Sequence, residues 1–339
     1  MRRIFWTWDI RMRWAHGFCF WQESYLQNYR RLIDAAAALD VEGIVIWGFL
    51  RDVHGGIDSA KRIVEYAGKK NIKIYPGIGI DDYGGIYCEG DSPYSLDTFL
   101  KAHPHMQAVR ADGTPDTHLW PPNDYLPRLK GCPSQEELIP YYQESIEWLL
   151  QTFGLSGFQI EQGDSGVCCC EKCRECKRIA CSDAPGADPR TSAIRIPAVL
   201  NPILARHPDL TVICETYCGL TKETIQNLEE VIDLYPENII LSWQLYNGAN
   251  TSSGKPQLKL DDDIRNPRKT GNAALRTNND LFLGEHDEAE EIRHVLRLSE
   301  KAGLNMTYFY GEYPWDWAVT RKNYLAWAGK KESDIPFFQ

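Results

Sequence analysis

The chain has 339 residues, of which 43% are hydrophobic and 25% are charged, with a formal net charge of −10 at pH 7. These proportions are typical of a globular protein in water, and the negative charge disfavours a nucleic-acid backbone as the main partner. No apolar run approaches the length of a membrane span, so a membrane is not an expected partner either.

Short apolar runs alternate with amphipathic stretches along the whole chain. Eight runs are predicted to be β-strands: 3–9, 42–49, 72–80, 156–164, 210–217, 238–246, 280–287 and 304–313. Helical periodicity predicts helices at 25–40, 57–70, 132–154, 190–207, 221–234, 288–303 and about 320–329. In the helix at 132–154, Ser134 is the expected N-terminal cap.

Eight strands that are each followed by a crossover predict a (β/α)8 TIM barrel, which we expect to form a single catalytic domain over residues 1–339. Enlarged loops are expected after strand three (81–132), strand four and strand six (247–279), and long loops commonly carry function. The alternative is an open doubly wound sheet, which the lack of a glycine-rich phosphate loop after the first strand disfavours.

Acidic residues end six of the eight predicted strands, and in TIM barrels this end of the strands forms the active site. Two carboxylates on either side of a glycosidic bond can hydrolyse it: one protonates the leaving oxygen, and the other attacks the anomeric carbon or activates water. The candidate catalytic residues are Glu161, Glu285, Glu215 and Asp164. Neighbouring aromatic and polar residues are candidate substrate contacts: Asp9, Trp47, Asp82, Trp243, His286, Glu312 and Trp315.

The layout and three motifs, at 99–113, 132–150 and 157–173 ("GFQIEQGDSGVCCCEKC"), resemble the (β/α)8-barrel glycoside hydrolase superfamily, and within it glucuronidase- and hexosaminidase-like barrels. The resemblance implies that Glu161 is the acid/base and that Glu285 is the second carboxylate, with Glu215 as the next choice. From its position close after Glu161, Asp164 is a further candidate that either tunes Glu161 or is itself the acid. The pattern departs in one place, since Ile160 stands where those enzymes have Asn.

Six of the eleven cysteines fall between residues 168 and 181. Their spacing predicts a structural zinc site of four thiolates, which would fix the loop after Glu161. The expected ligands are Cys168, Cys170, Cys173 and Cys176, with Cys181 as an alternative to Cys176.

Other uses of these cysteines stay open. An iron–sulfur cluster would use Cys170, Cys173, Cys176 and Cys181, and Cys169 with Cys173 and Cys176 has the spacing of radical enzymes that use adenosylmethionine. Disulfides that also involve Cys214 and Cys218 are the third possibility, and unpaired thiols the fourth.

Two other functions compete with the glycosidase. One is a metal-dependent sugar isomerase or epimerase that uses Glu161, Glu215, His286 and Glu312. The other is a carbohydrate-binding barrel without catalysis. The expected partner is a carbohydrate in each case, with no organic cofactor. The charged N-terminal stretch and the odd number of cysteines favour the cytoplasm, or export if a signal peptide has been removed.

Overall fold

A computed structural model describes residues 1–9, 22–118, 127–161, 168–180, 189–248, 256–277, 286–311 and 318–335. Its strands are β1 (Arg2–Trp8), β2 (Gly43–Trp47), β3 (Lys73–Gly79), β4 (Thr117–His118), β5 (Arg128–Leu129), β6 (Gly157–Glu161), β7 (Thr211–Glu215), β8 (Ile240–Asn247), β9 (Gln257–Leu258), β10 (Gly271–Arg276) and β11 (Met306–Tyr310). Its helices are α1 (Gln22–Ala38), α2 (Gly56–Lys69), α3 (Leu96–Ala102), α4 (Leu138–Phe153), α5 (Glu171–Ala180), α6 (Pro189–Arg206), α7 (Lys222–Ile232), α8 (Ala289–Lys301) and α9 (Ala318–Ala328).

Eight parallel strands form a closed barrel. Their order is β10-β11-β1-β2-β3-β6-β7-β8, and pairing of β8 with β10 closes the ring. The predicted TIM barrel is therefore confirmed. The loop after β3 contains α3 and the small antiparallel pair β4–β5, while β9 pairs antiparallel with the end of β8. None of the described helices combines the length and the apolarity needed to cross a bilayer.

The seventh barrel strand is not the predicted one. Strand β10 pairs with β8 and β11, so it takes the place that was predicted for 280–287. Its sequence, GNAALR, has small apolar residues that make a weak strand signal, whereas the stronger run that begins near Leu281 drew the prediction. Consequently Arg276, and not Glu285, ends the seventh strand. Residues 278–285 lie outside the described ranges.

Alternate residues of each barrel strand face two different cores. The barrel interior holds Ile4, Trp6, Trp8, Val45, Trp47, Tyr75, Tyr83, Ile213, Ile240, Ala274, Met306, Tyr308 and Tyr310. The intervening residues, such as Phe5, Ile46 and Leu275, pack against the helices. The amide oxygen of Gln159 accepts hydrogen bonds of 2.8 Å from the indoles of Trp6 and Trp47, which satisfies both buried N–H groups.

At the base of the barrel, residues at the starts of β1 and β3 contact the carboxylate of Glu42, which directly precedes β2. Both nitrogens Nε and Nη2 of Arg2 donate to Glu42 at 2.7 Å, and Lys73 Nζ donates to it at 2.9 Å. The hydrogen bond from Arg2 is the main reason that the pKa of Glu42 falls to about 2. This ion cluster therefore ties the first residues of β1, β2 and β3 together at the end of the barrel opposite the candidate site.

Helix α4 begins six residues later than the predicted start at Cys132. Ser134 is not its cap, because the N-terminal cap is Glu137 and no side chain makes the capping hydrogen bond. The Ser134 hydroxyl instead lies 2.8 Å from Cys173 Sγ. The segment before α4 is thus drawn into the cysteine-rich loop.

Candidate functional site

Two of the predicted catalytic carboxylates end neighbouring strands. Strands β6 and β7 pair with Ile160 opposite Cys214, so Glu161 and Glu215 follow side by side. Paired strands lie about 4.8 Å apart. Gln159 faces the barrel interior and side chains alternate along a strand, so Glu161 faces inward too. Both carboxylates are nearly inaccessible, at 4% and 3% exposure.

Glu215 is fixed by donors from three other positions. The Tyr308 hydroxyl donates to its Oε2, Ser242 Oγ donates to the same oxygen at 3.1 Å, and the backbone N–H of Tyr217 approaches Oε1 at 3.3 Å. Asn272 Nδ2 donates to Ser242 Oγ at 2.8 Å, which leaves the Ser242 proton directed at Glu215. The carboxylate therefore has little freedom to rotate.

Opposing effects act on the charge of Glu215. Burial raises the pKa of its carboxyl above the ordinary value, and this effect is the larger. The Arg276 guanidinium and the hydroxyls of Tyr308 and Ser242 lower that pKa in part, because they favour the ionised form. A buried carboxyl with a raised pKa at a strand end is a characteristic of functional sites.

Arg276 brings a cation to the same rim. Its guanidinium carbon lies 5.9 Å from the ring centre of Tyr217 and 5.9 Å from that of Tyr310. Tyr217 itself has a left-handed backbone, with φ of 58°, immediately after the Glu215 strand. Such strain in a residue other than glycine is concentrated at functional sites. The prediction from sequence missed Arg276 because it misplaced the seventh strand.

A group of aromatic rings lies at the ends of β1, β2 and the loop after β3. The ring centres of Trp8 and Tyr83 are 5.3 Å apart, and that of Trp47 lies 6.2 Å from Trp8 and 5.6 Å from Tyr83. Trp47 is only 1% exposed, whereas Trp8 and Tyr83 each reach 8%. All three residues are therefore buried, Trp8 and Tyr83 slightly less than Trp47, and the role of Trp47 as a substrate contact stays a prediction.

The carboxylates at the ends of β1 and β3 already have protein partners. Asp9 is fully buried, and its Oδ2 lies 2.9 Å from Arg51 Nε and 3.5 Å from His54 Nε2. Asp9 follows Trp8 on the opposite, helix-facing side of the strand, and its role as a substrate contact stays a prediction. Asp82, at 2% exposure, accepts the Tyr83 backbone N–H at 2.8 Å, and its predicted substrate contact is not tested.

Trp243 faces the helices and not the barrel interior, and its role as a substrate contact stays a prediction. It is fully buried in the core between barrel and helices. With residues of α7, namely Leu228, Val231 and Ile232, it lines a small apolar cavity behind the barrel wall. The sequence places this aromatic residue near a strand end but does not fix which face of the strand it occupies.

The remaining predicted site residues are less defined. His286 is half-buried just before α8, and its carbonyl accepts a hydrogen bond from Asn323 Nδ2 at 2.8 Å. Four others lie outside the described residues and stay predictions: Asp164, Glu285, Glu312 and Trp315.

Four thiols converge beside the loops that follow β3 and β6. The sulfurs of Cys132, Cys168, Cys170 and Cys173 all lie within 4.8 Å of one another. Cys132 Sγ is 3.7 Å from the sulfurs of Cys170 and Cys173. A tetrahedron with ligands about 2.3 Å from a central zinc has edges of roughly 3.8 Å, so these spacings fit one ion held by four thiolates. Among the described residues, no other group of three or more ligand side chains is this close.

Cys132 supplies the fourth thiol, which had been predicted to come from Cys176. The sequence offers no spacing signal for Cys132, since it stands alone 36 residues before Cys168. The backbone of Cys176 lies in α5, but its side chain is outside the description, so its role as a ligand stays a prediction.

Backbone N–H groups point at the sulfurs, as thiolates require. Val109 N and Cys170 N lie 3.3 and 3.4 Å from Cys168 Sγ, and Cys173 N lies 3.5 Å from Cys170 Sγ. Hydrogen bonding from Cys132 is the first cause that lowers the pKa of Cys168. Such outer donors hold ligands in place for a metal.

Direct contacts connect the thiols to the barrel rim. Arg195 Nη2 donates to the Cys132 carbonyl at 3.1 Å and lies 3.2 Å from Asp81 Oδ1 in the loop after β3. In the same loop, Ile80 N donates to the Glu161 carbonyl at 2.7 Å. The position of Glu161 is thus coupled to the cysteine group through two hydrogen-bonded segments.

Comparisons with known proteins identify the fold. No family model and no curated protein matches the chain. A chitobiase from Flavobacterium johnsoniae superposes with a TM-score of 0.57 at 14% identity, covering 99% of this chain and 50% of the chitobiase. This chain therefore spans about half the length of that enzyme.

Two further solved structures superpose less well. The catalytic modules of the pneumococcal exo-β-D-N-acetylglucosaminidase StrH give a TM-score of 0.47 at 10% identity, covering 98% of this chain and 85% of theirs. An α-amylase from Lactobacillus plantarum gives 0.46 at 12% identity, covering 91% and 70%. Of the three, the chitobiase superposition is the one that shows a shared barrel fold, and at 14% identity it shows the fold alone.

Proposed function

We propose that the protein is a glycoside hydrolase whose catalytic pair is Glu161 and Glu215. The observation that carries this proposal is their adjacency, since both end neighbouring strands and face the barrel interior. The aromatic group of Trp8, Trp47 and Tyr83 at the strand ends is of the kind that packs against a sugar ring. The chitobiase likeness, which concerns fold alone, is in keeping with this reaction class.

The two carboxylates take different roles in this mechanism. Donors reach both oxygens of Glu215, and they stabilise the ionised form that attack on the anomeric carbon requires, in opposition to the effect of burial. Glu161 acts as the acid that protonates the leaving oxygen as the bond to the anomeric carbon breaks. Glu215 attacks that carbon, and water later releases the sugar with Glu161 as base. Adjacent strands favour the short carboxyl separation, about 5–5.5 Å, of retaining enzymes.

A panel of chromogenic glycosides tests the reaction class. We expect the wild type to hydrolyse at least one of them, and Glu161→Gln and Glu215→Gln to lose roughly a thousandfold or more in kcat. Glu147→Gln is the matched control, because Glu147 pairs with Arg206 and His207 on the helical exterior. Unchanged turnover in both rim variants would refute the pair.

We further propose that zinc binds Cys132, Cys168, Cys170 and Cys173 and serves a structural role. Four thiolates leave no open coordination position, so the ion would fix loops and take no part in bond cleavage. Elemental analysis of the purified protein should find about one zinc per chain. Cys132→Ser should lose it, whereas Cys218→Ser, which lies outside the group, should keep it. Full zinc content in Cys132→Ser would exclude this ligand set.

A further inference from the structure

Arg276 is the one cation among the described residues that end the barrel strands. In the described part of the chain, no carboxylate oxygen forms an ion pair with it, and its Nε has no hydrogen-bond partner. Arg276 is half-buried as a residue, and its guanidinium has the rings of Tyr217 and Tyr310 near it. A positive charge that has no direct partner among the described residues of a rim that also holds Glu161 and Glu215 requires an explanation.

Two side chains on the neighbouring strand β8 also have a buried polar atom without a hydrogen-bond partner among the described residues. These atoms are Gln244 Nε2 and Asn247 Oδ1. In the pairing of β8 with β10, Gln244 lies opposite Ala274 and Asn247 lies opposite Arg276. The unpaired donors and the unpaired acceptor therefore occur together on one side of the rim, next to Glu215.

Charge compensation of Glu215 by Arg276 does not explain why the guanidinium is placed at this rim. Arg276 lowers the pKa of Glu215 through space, but it makes no ion pair with that carboxylate within 4.0 Å. The hydrogen-bond positions of Glu215 Oε2 are occupied by Tyr308 and Ser242. Within the described residues, the guanidinium of Arg276 therefore has no carboxylate bound to it and can take another anion.

We propose that Arg276, assisted by Gln244, binds an anionic substituent of the sugar, and that the substrate is an acidic carbohydrate. This inference rests on the proposed function. The guanidinium presents a planar fork of N–H donors that matches a carboxylate or a sulfate, and the Gln244 amide adds a further donor. Asn247 Oδ1 accepts a hydrogen bond from an adjacent sugar hydroxyl. The shared chemistry is an oxyanion, from either a uronic acid or a sulfate ester.

Matched pairs of nitrophenyl glycosides that differ only at C6 provide the test: glucuronide against glucoside, galacturonide against galactoside, and 6-sulfated against unsulfated N-acetylglucosaminide. We expect kcat/KM to favour the acidic member of one pair, and the uronide or sulfate arm to identify the source of the charge. In Arg276→Gln that preference should fall about 10- to 100-fold.

The preference ratio separates recognition from a structural effect. A change in the pKa of Glu215, or a general loss of stability, lowers kcat/KM for both members of a pair and leaves their ratio unchanged. Arg276→Lys keeps the charge but loses the fork, so it should keep only part of the preference. Gln244→Met, of similar size, should lower the ratio without removing the cation. An equal ratio in wild type and Arg276→Gln would overturn the inference.

Calorimetric titration with free glucuronate, galacturonate, glucose 6-sulfate and glucose distinguishes the two proposals. Binding of an acidic sugar that depends on Arg276, with no glycoside turned over, would refute the hydrolase and support the inference. Turnover of neutral glycosides without any preference for the acidic ones would support the hydrolase and refute the inference. Failure of every acidic sugar to bind, with no acidic glycoside turned over, would overturn the inference.

Discussion

Tyr308 and Glu215 meet across the interior of the barrel, although 93 residues separate them in the chain. The tyrosine comes from β11 and the carboxylate from β7, which are not neighbours in the barrel. Both groups are buried, so the phenol replaces water as a donor to the carboxylate. The charge state of Glu215 thus depends on a strand far from its own.

Removal of that donor should shift the pH dependence of catalysis. Burial already raises the pKa of Glu215, and Tyr308→Phe removes a group that lowers it, so the pKa should rise further. If the reaction needs ionised Glu215, the acid limb of kcat/KM moves to higher pH by about one unit, and Ser242→Ala should act in the same direction.

Tyr75→Phe is the matched control for this shift, since Tyr75 donates to Glu42 at the base of the barrel. Its pH profile should keep the wild-type acid limb. Movement of the alkaline limb in Tyr308→Phe would mean that Glu215 is the acid, and the two carboxylates would exchange roles.

The role of Glu161 as the acid can be tested by changing the leaving group of the substrate. A general acid matters most when the departing alcohol is a poor leaving group, so Glu161→Gln should lose far more activity on alkyl glycosides than on dinitrophenyl glycosides. Glu215→Gln should lose activity on both, because attack at the anomeric carbon is needed in every case. Equal losses for the two leaving-group classes in Glu161→Gln would argue against its role as acid.

The order of strands and helices follows from hydrophobic periodicity, which is why the barrel and the location of Glu161 and Glu215 could be predicted. Periodicity failed at β10, whose small side chains give a weak signal, and the error concealed Arg276. The sequence also did not show which face of a strand each side chain occupies. Trp243 is buried between the barrel and the helices because of the register of its strand. Cys132 was missed because a ligand brought in from a distant segment leaves no local spacing.

The cluster at the base of the barrel should contribute stability that depends on pH. Because the pKa of Glu42 is lowered to about 2, below its value in the unfolded chain, the contribution is complete above an unfolded pKa of about 4.3 and is lost as pH falls through 2. The partly exposed site reduces its size, so Glu42→Gln should lower the free energy of unfolding by about 1–2 kcal/mol at pH 7. Denaturant titrations at pH 7 and pH 2 should show that most of this difference is lost at the lower pH.

A difference in the free energy of unfolding that stays constant between pH 7 and pH 2 would show that packing, and not charge, is responsible.

Zinc removal should loosen the loops beside Glu161 while the barrel stays folded. The backbone N–H groups of Val109, Cys170 and Cys173 donate to sulfurs of the thiol group, so their protection from hydrogen exchange should depend on the metal. After chelation we expect faster exchange at these amides, and then at Ile80, whose N–H reaches the Glu161 carbonyl. The Lys73 amide, which bonds to Glu42 at the base of the barrel, is the internal reference and should keep its rate. If the metal is released and the sulfur-bonded amides exchange at unchanged rates, the thiols do not organise this loop. The contacts of Arg195 and Asp81 would then not transmit the loss of the metal to Glu161. If exchange instead rises equally at the Lys73 amide, the metal stabilises the whole barrel, and its effect on Glu161 is not local.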